Sequence, residues 1–249
     1  MPAAPERTLG DFDALSFDCY GTLIDWETGI TAELASWAQR RSVAGRPDEL
    51  LATFAAHETL VQQAAPAQRY PDVLAETLRQ IGQSLGAEVD DEDATAFGAS
   101  VGRWPAFPDS AAALGRLKTR YRLIVLSNVD RASFAGSAAR LGVAWDLVVT
   151  AEDVGAYKPS PRSFPALLER LGDLGIGPDR LLHVAQSLYH DHEPARAAGL
   201  STVWIDRRHG QEGLGATPAP ATPVTPDWRF DSMADLAAAA VGGEGSGSG

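Results

Sequence analysis

Five short apolar runs are the feature that most constrains how this chain folds. An apolar run without polar alternation is typical of a parallel strand that is covered on both faces. Each run is followed by an Ala-rich segment that favours helix, and alternating strands and helices predict a doubly wound α/β sheet. The predicted strands are Ala14–Phe17, Leu123–Leu126, Leu147–Val149, Leu181–Ala185 and Thr202–Ile205, and the predicted helices between them are Ser110–Tyr121, Arg131–Leu141, Pro161–Leu171 and Glu193–Ala198.

The segment from Glu27 to Gly102 breaks this alternation because it contains few strand-like runs. It predicts a helical cap domain, inserted after the first strand and lying over the carboxyl ends of the strands, where open α/β sheets bind ligands. We predict a Rossmann-like core of residues 1–25 and 105–241, a cap of residues 26–104 and a disordered Gly/Ser-rich tail of residues 242–249. The predicted cap helices are Ile30–Arg41, Glu49–Gln63, Tyr70–Leu85 and Glu92–Gly102, and the Pro, Ala and Thr of Ala216–Pro226 predict an extended surface loop.

Charge and composition exclude several classes of protein. The formal net charge is −12, which argues against binding to nucleic acid or to anionic membrane surfaces, although a local cluster of donors can still bind a small anion. No apolar stretch approaches the roughly 20 residues of a membrane span, and Met1–Gly10 has no apolar export signal. Cys19 is the single cysteine, so an intramolecular disulfide is impossible and a reducing cytoplasm is expected.

Polar side chains follow four of the predicted strands where each strand ends. Asp18 follows the first, Ser127 and Asn128 the second, Lys158 lies in a loop after the third, and Asp191 follows the fourth. Each has a structural explanation of its own, as a helix cap, a surface lysine or an acid at a helix N-terminus. Because the carboxyl ends of parallel strands meet at one edge of the sheet, their joint occurrence predicts an active site there.

The order of these residues resembles the haloacid dehalogenase-like hydrolase superfamily. The resemblance is carried by Asp-x-Tyr-Gly-Thr-Leu from Asp18, Leu-Ser-Asn ending at Asn128, Tyr-Lys-Pro around Lys158 and the late Asp191, and it runs from about Phe12 to Asp235. It implies a covalent mechanism with Asp18 as the nucleophile. Within the superfamily the chain is similar to the 2-haloacid dehalogenase branch.

Two positions favour that branch over the phosphatases. Phosphatases of the superfamily carry a second Asp two residues after the nucleophile to protonate the leaving alcohol, and here that residue is Tyr20. A halide leaves as a stable anion and needs no proton. The phosphatases also hold Mg²⁺ with two late acids five residues apart, and here that pair is Gln186 and Asp191. A neutral amide is a poor ligand for Mg²⁺, so we expect no metal or other cofactor, with Mg²⁺ as the alternative.

The resemblance implies a role for each residue. Asp18 attacks the α-carbon, Asp191 activates water to hydrolyse the ester, and Lys158 keeps Asp18 ionised. Thr22 orients Asp18, while Ser127 and Asn128 offer donors to the carboxylate of a small anionic substrate. Relatives in this branch are often dimers, so a homodimer is compatible with the resemblance. The predicted substrate-binding residues are Cys19 through its backbone N–H, Tyr20, Thr22, Ser127, Asn128, Gln186 and His190.

The chain also departs from the dehalogenase pattern. Relatives receive the halide on a cap arginine, and here that position falls at Ala55 or Ala56, with Arg40, Arg41, His57 and Arg69 as the possible replacements. Relatives carry Ser and Asn in the late motif where this chain has Gln186 and Leu188. His190 and His192 flank Asp191 and raise a metal site as a weaker alternative to a structural role. His183 is predicted to be a core histidine, and Trp26 either lines the cleft or packs at the hinge.

Three hypotheses therefore remain open. The first is a hydrolytic dehalogenase, supported by Tyr20 and Gln186. The second is a Mg²⁺-dependent phosphatase of small phosphate esters. The third is a binding protein that has kept the fold without the chemistry, which the joint presence of Asp18, Lys158 and Asp191 disfavours.

Overall fold

Six parallel strands form one sheet in the order β3-β2-β1-β4-β5-β6. The computed structural model describes residues 7–210, 217–220 and 222–242. Each of the five predicted strands is confirmed, and a short sixth strand was missed because three residues give no usable pattern. The strands are β1 (Ala14–Phe17), β2 (Arg122–Ser127), β3 (Leu147–Thr150), β4 (Leu181–Ala185), β5 (Ser201–Ile205) and β6 (Trp228–Phe230).

Four helices form the cap that the chain inserts between β1 and β2. They are α1 (Trp26–Arg41), α2 (Pro47–Ala64), α3 (Tyr70–Leu85) and α4 (Asp91–Gly98). The first begins four residues before the predicted start because the Asp25 side chain accepts the N–H of Thr28 and caps the helix. The last ends at Gly98 and is followed by a separate 3₁₀ turn at Val101–Arg103, so the predicted continuation to Gly102 was wrong. Residues 26–104 remain the predicted bounds of this domain.

Six further helices lie beside the sheet. They are α5 (Ser110–Leu117), α6 (Arg131–Leu141), α7 (Ala151–Val154), α8 (Ser163–Gly172), α9 (Glu193–Ala197) and α10 (Met233–Val241). A π-helical turn at Leu188–His192 precedes α9. Of the predicted tail, Gly242 caps α10, and the rest lies outside the described residues. Ala216 and Ala221 of the predicted loop also lie outside them, and the other positions of that loop form neither helix nor strand.

Both faces of the sheet are buried, which explains why the runs are mostly apolar. On β2, Leu123 and Val125 belong to one hydrophobic cluster, while Ile124 and Leu126 belong to the other. Successive side chains of a strand point to opposite faces, so a strand covered on both sides needs apolar residues at every position. The chain therefore has the doubly wound α/β core with a helical cap that its sequence predicts. Among the described residues, no helix is long and apolar enough to cross a membrane.

Candidate active site

Asp18 lies one residue beyond β1, where the sheet still holds its backbone. Its N–H donates to the carbonyl of Val184 on β4 at 3.1 Å. Gly21 adopts a φ of 98°, which L side chains rarely adopt, and turns the chain after the nucleophile. Beyond this turn Thr22 Oγ1 donates to Asp18 Oδ2 at 2.8 Å and accepts the N–H of Gln186 at 2.9 Å. The first predicted motif is thus a turn that fixes one carboxylate oxygen.

Lys158 lies between the two predicted catalytic carboxylates. Its Nζ donates to Asp18 Oδ1 at 3.0 Å, to Asp191 Oδ1 at 2.6 Å and to the carbonyl of Leu126 at 2.8 Å. These contacts account for all three donors of the ammonium, and the side chain is only 2% exposed. The side-chain amide of Asn128 binds both backbone groups of Lys158, accepting at 2.6 Å and donating at 3.0 Å. Asn128 therefore positions the lysine.

Asp191 is carried by the π-helical turn that follows β4. Besides Lys158, its Oδ1 lies 3.1 Å from Nε2 of His183, whose Nδ1 is joined to Ser16 Oγ at 2.9 Å. The prediction of His183 as a core histidine is confirmed, since it is fully buried, but the sequence did not indicate its bond to Asp191. Asp191 Oδ2 is buried without a hydrogen-bond partner among the described residues, so it can still accept a hydrogen bond.

Burial and charge set the ionisation of Asp18, Lys158 and Asp191. Burial raises the pKa of Asp18, and the Lys158 charge only partly offsets that rise. Burial would also raise the pKa of Asp191, but Lys158 and His183 hold it below its usual range. The two carboxylates outweigh burial at Lys158 and raise its pKa, so the side chain stays an ammonium. Asp191, the predicted base, is thus ionised more readily than Asp18, the predicted nucleophile.

A cavity of about 300 Å³ lies between the core and the cap above these residues. The core contributes Asp18, Tyr20, Lys158 and Asp191 to its wall, and α2 contributes a polar face. The Tyr20 ring packs edge-on against Trp104 at 5.7 Å, and its hydroxyl lies 2.8 Å from Ser137 Oγ. Trp26 lines the cavity, as one of its two interpretations predicts, and also packs against Phe54 of the cap. The cap residues in the wall include Glu58, Thr59, Gln62, Gln63 and Tyr70.

The predicted substrate-binding residues fall into two groups. Tyr20, Asn128, Gln186 and His190 line the cavity. The side chains of Cys19, Thr22 and Ser127 are buried behind its wall, where Thr22 holds Asp18 and Ser127 Oγ has no hydrogen-bond partner among the described residues. Burial raises the pKa of the Cys19 thiol, which disfavours a reactive thiolate. A backbone role for Cys19 and a donor role for Ser127 stay predictions.

None of the proposed halide-binding positions in the cap lines the cavity. Arg40 and Arg41 pair with Asp93, and Arg69 pairs with Asp72 on the surface. Ala55, Ala56 and His57 lie on α2 but are not part of the described wall. Among the described residues, Lys158 is the one lysine or arginine that lines the cavity. The cap therefore offers the leaving group no positive charge from these residues.

The two histidines beside Asp191 point to separate partners. His190 lines the cavity with Nδ1 3.2 Å from Ser187 Oγ, and burial lowers its pKa to about 4, so it is neutral near neutral pH. Nε2 of His192 donates to the carbonyl of Ala185 at 3.0 Å. Within the described ranges, potential metal ligands cluster only at Asp206, His209 and Asp231, where Arg229 already donates to Asp206 at 2.6 Å.

Sequence reasoning missed the acid on the cap side of the cavity. Glu58 follows buried Phe54 by four residues and precedes buried Val61 by three, so it falls on the inward face of α2. That spacing was an available signal. Tyr70, at the first turn of α3, donates its hydroxyl to Glu58 Oε1 at 2.7 Å.

Comparisons with known proteins identify the family of this chain. The family model for haloacid dehalogenase-like hydrolases matches residues 12–199, and the chain belongs to that family. An (S)-2-haloacid dehalogenase of Pseudomonas putida is 28% identical over 221 residues, which cover 83% of this chain and 91% of that protein. A phosphoserine phosphatase of Thermus thermophilus is 31% identical over 166 residues, which cover 65% of this chain and 63% of that protein. The crystal structure of a defluorinating L-2-haloacid dehalogenase, 25% identical, superposes with a TM-score of 0.76 over 91% of this chain and 94% of the other.

Proposed function

We propose that this hydrolase displaces halide from the α-carbon of a 2-haloacid through an aspartyl ester at Asp18, without a metal. The observation that carries the proposal is the Lys158 ammonium between Asp18 and Asp191, with neither Tyr20 nor Gln186 adding a carboxylate. Mg²⁺ requires near-octahedral oxygen ligands, mostly anionic, and a lysine bound to both available carboxylates competes with it directly. This donor set fits Mg²⁺ poorly, which supports displacement at carbon over phosphoryl transfer.

In the first step a carboxylate oxygen of Asp18 attacks the α-carbon. A carbon–oxygen bond forms, the carbon–halogen bond breaks, and the halide leaves with the electron pair. Thr22 and Lys158 bind one carboxylate oxygen each, so they hold the nucleophile in one orientation. Lys158 also supplies positive charge for a small anionic substrate.

In the second step water attacks the carbonyl carbon of the ester. Asp191 takes a proton from that water through Oδ2, the oxygen without a hydrogen-bond partner among the described residues, and passes it to solvent. The bond from the carbonyl carbon to the alkoxide oxygen breaks, the alkoxide takes the remaining proton of that water and leaves as the 2-hydroxy acid, and Asp18 is restored as a carboxylate. His183 and Lys158 both hold Oδ1 and so direct the other oxygen of Asp191. We place the enzyme in the cytoplasm, where the single cysteine stays reduced.

Halide release from racemic 2-chloropropionate and from chloroacetate, in the presence of EDTA, tests the proposal. Release should survive EDTA and fall by at least about 1,000-fold in Asp18→Asn. Asp13→Asn is the matched control, because Asp13 lies at the other end of β1, half-exposed and paired with Arg180. In a single turnover in water labelled with heavy oxygen, the peptide that carries Asp18 should gain the label, since water attacks the ester carbonyl.

The relative from Thermus thermophilus keeps the phosphatase as the second candidate. Phosphate release from p-nitrophenyl phosphate that requires Mg²⁺ and stops with EDTA, together with no halide release, would overturn the dehalogenase. A chain that releases neither product and takes no label at Asp18 would instead be the binding protein.

A further inference from the structure

One acid on the cap side of the cavity has no part in the two steps above. Glu58 is half-buried on α2 and lines the cavity together with Gln62, one turn further along the same helix. Its carboxyl accepts the Tyr70 hydroxyl at 2.7 Å and is also hydrogen-bonded by the Gln62 side chain. These contacts hold the carboxyl from two cap helices, beside the same space as the nucleophile.

The described residues around Glu58 supply no cation for its carboxyl. Residues 26–104 contain six arginines and no lysine. Each of these arginines pairs with an acid other than Glu58; they are Arg40, Arg41, Arg46, Arg69, Arg79 and Arg103. From the core, Lys158 lines the cavity but is bound to the two core carboxylates. His190 lines it too, and burial lowers its pKa to about 4, so it is neutral near neutral pH.

Burial without a counter-ion disfavours the ionised form of this acid. Burial raises the pKa of Glu58 to about 7, a rise that the hydrogen bonds from Tyr70 and Gln62 partly offset. Tyr70 and Tyr157 are the titratable groups that interact with Glu58, and both stay neutral because burial raises their pKa values. A cation that entered the cavity would therefore meet a carboxyl that it stabilises in the ionised form.

Several aromatic side chains line the same cavity. The face of an aromatic ring attracts a cation that lies within about 6 Å of its centroid. The ring of Tyr70, which is bonded to Glu58, lies 6.3 Å from the ring of Tyr157. The aromatic residues of the described wall are Tyr20, Trp26, Tyr70, Tyr157 and Tyr189. An acid without a counter-ion, placed among aromatic rings, has the chemistry of a site for an ammonium group.

The cavity is also larger than a short 2-halo acid. Its volume is about 300 Å³, within the range of roughly 300–1,000 Å³ for pockets that hold drug-sized ligands. A three-carbon 2-halo acid is much smaller than such a ligand, so the cavity has room for a longer chain. The reacting carbon must lie at Asp18 on the core side, which leaves the remaining space beside the cap and Glu58.

We propose that Glu58, with Tyr70 and Tyr157, forms a subsite for an ammonium group at the end of the substrate, a 2-halo acid of about five or six carbons. This inference rests on the proposed displacement at Asp18 and names its substrate class. The carboxylate and the α-carbon of the substrate lie near Lys158 and Asp18, while the ammonium pairs with Glu58 and lies against the two tyrosine rings. The substrate thus brings the counter-ion that the described wall does not supply.

The test compares two substrates that differ only in the terminal group. The kcat/KM for bromide release, corrected for release without enzyme, is measured for 6-amino-2-bromohexanoate and for 2-bromohexanoate. At about pH 8 the wild type should favour the amino substrate by at least about tenfold, because a hydrogen bond between charged groups is stronger than a neutral one. Glu58→Gln should lower this ratio by about tenfold or more, since the amide keeps the shape of the side chain but not its charge.

Glu76→Gln is the matched control, because Glu76 is a half-buried acid on α3 that does not belong to the described wall. It should leave the ratio of the two substrates unchanged. Equal losses with both substrates in Glu58→Gln, which would also leave the ratio unchanged, would overturn the subsite.

The pH dependence of the same ratio identifies the acid. The ionisation of Asp18 affects both substrates equally and cancels in the ratio. In the wild type the ratio should rise with pH and level off above about pH 7, as Glu58 loses its proton. Tyr70→Phe removes a hydrogen bond that lowers the pKa of Glu58, so it should move this rise to higher pH. A flat ratio in the wild type, or a rise that persists in Glu58→Gln, would contradict the assignment.

Binding of unreactive ligands separates the subsite from the chemistry. By calorimetry, the wild type should bind 6-aminohexanoate at least about tenfold more tightly than hexanoate, and Glu58→Gln should remove the difference. A wild type that releases no bromide but keeps this preference would overturn the displacement and leave the subsite standing. Equal binding of the two ligands, or binding of neither, would overturn the subsite whatever the rates of bromide release.

Discussion

The two walls of the active-site cavity hold their polar groups in different ways. On the core side, Asp18, Lys158 and Asp191 are tied to one another and to residues at strand ends. On the cap side, the hydrogen-bond partners of Glu58 among the described residues are Tyr70 and Gln62, its neighbours on two helices. Contacts within the core thus fix the charges of Asp18 and Asp191. On the cap side, Glu58 can gain or lose a proton without disturbing those contacts. The comparison teaches that contacts within the core set the charges of Asp18 and Asp191, whereas the cap adds a carboxyl whose charge changes near neutral pH.

The largest effect is expected from Lys158→Met, which removes the ammonium that both core carboxylates share. Breaking a buried ion pair by removing one partner costs about 3–5 kcal/mol, because it leaves uncompensated buried charge. Halide release should fall by at least about 100-fold, since loss of the Lys158 charge raises the pKa of Asp18 further and leaves less of the ionised nucleophile. Chemical denaturation and halide assays measure the two losses.

Lys118→Met is the matched control, because Lys118 is the only other lysine of the chain. It pairs with Asp146 and is about one-third exposed, so its loss should cost about 1 kcal/mol or less and leave activity unchanged. A Lys158→Met variant as stable as this control would mean that the core wall is held no more tightly than the cap wall.

The acid side of the pH profile tests the core wall without removing a charge. Asp18 must be ionised to attack, and burial raises its pKa above that of an ordinary aspartate. As the pH drops below this raised pKa, kcat/KM should fall about tenfold per pH unit. The hydrogen bond from Thr22 lowers the pKa of Asp18, so Thr22→Val should move this acid limb to higher pH. Thr22→Ser keeps the hydroxyl and should leave the limb in place. An unmoved limb in Thr22→Val would assign it to another group.

A smaller effect is expected from His183→Leu, which removes a hydrogen-bond partner of Asp191, the proposed base. The substitution leaves Ser16 Oγ unpaired and removes one partner of Asp191 Oδ1, which should cost about 1–3 kcal/mol of stability. The hydrogen bond to His183 lowers the pKa of Asp191, so its loss also raises that pKa and should slow ester hydrolysis at low pH. Burst kinetics would report accumulation of the ester. The exposed His209→Leu serves as the control.

The smallest effects are expected at the cap arginines. Arg41→Gln and Arg69→Gln should leave halide release within about twofold of the wild type, because neither side chain lines the cavity among the described residues. A loss of more than about tenfold in either variant, with unchanged stability, would show that the cap supplies a cation during turnover and would break the contrast between the two walls.

Much of the fold was readable from local pattern. The runs that became β1 to β5 are mostly apolar because both faces of each strand are covered, and that requirement is visible in sequence. The edge strand β6 has three residues, and no periodicity can be read over so short a segment. The start of α1 differs from the predicted start because the side chain of Asp25 caps the N-terminus of that helix.

The active site was readable only in part. Sequence order placed Asp18, Lys158 and Asp191 at one edge of the sheet, and the structure brings these three together. The sequence did not indicate which cap residues face the cavity, because the direction of a helical side chain depends on which helix face packs inward. Glu58 could have been found from its spacing to Phe54 and Val61, but its protonation could not, since that depends on groups brought in by other elements.

The sequence by itself determined which segments are strands, that a helical cap follows the first of them, and that polar groups gather at their carboxyl ends. These properties depend on neighbouring residues and on strand and helix periodicity. Only the tertiary structure decided that one ammonium serves two carboxylates, that His183 supports Asp191, and that the cap faces the nucleophile with an acid. Ionisation depends on burial and on charges within a few ångströms, and here those charges come from residues as far apart in the chain as Asp18 and Lys158.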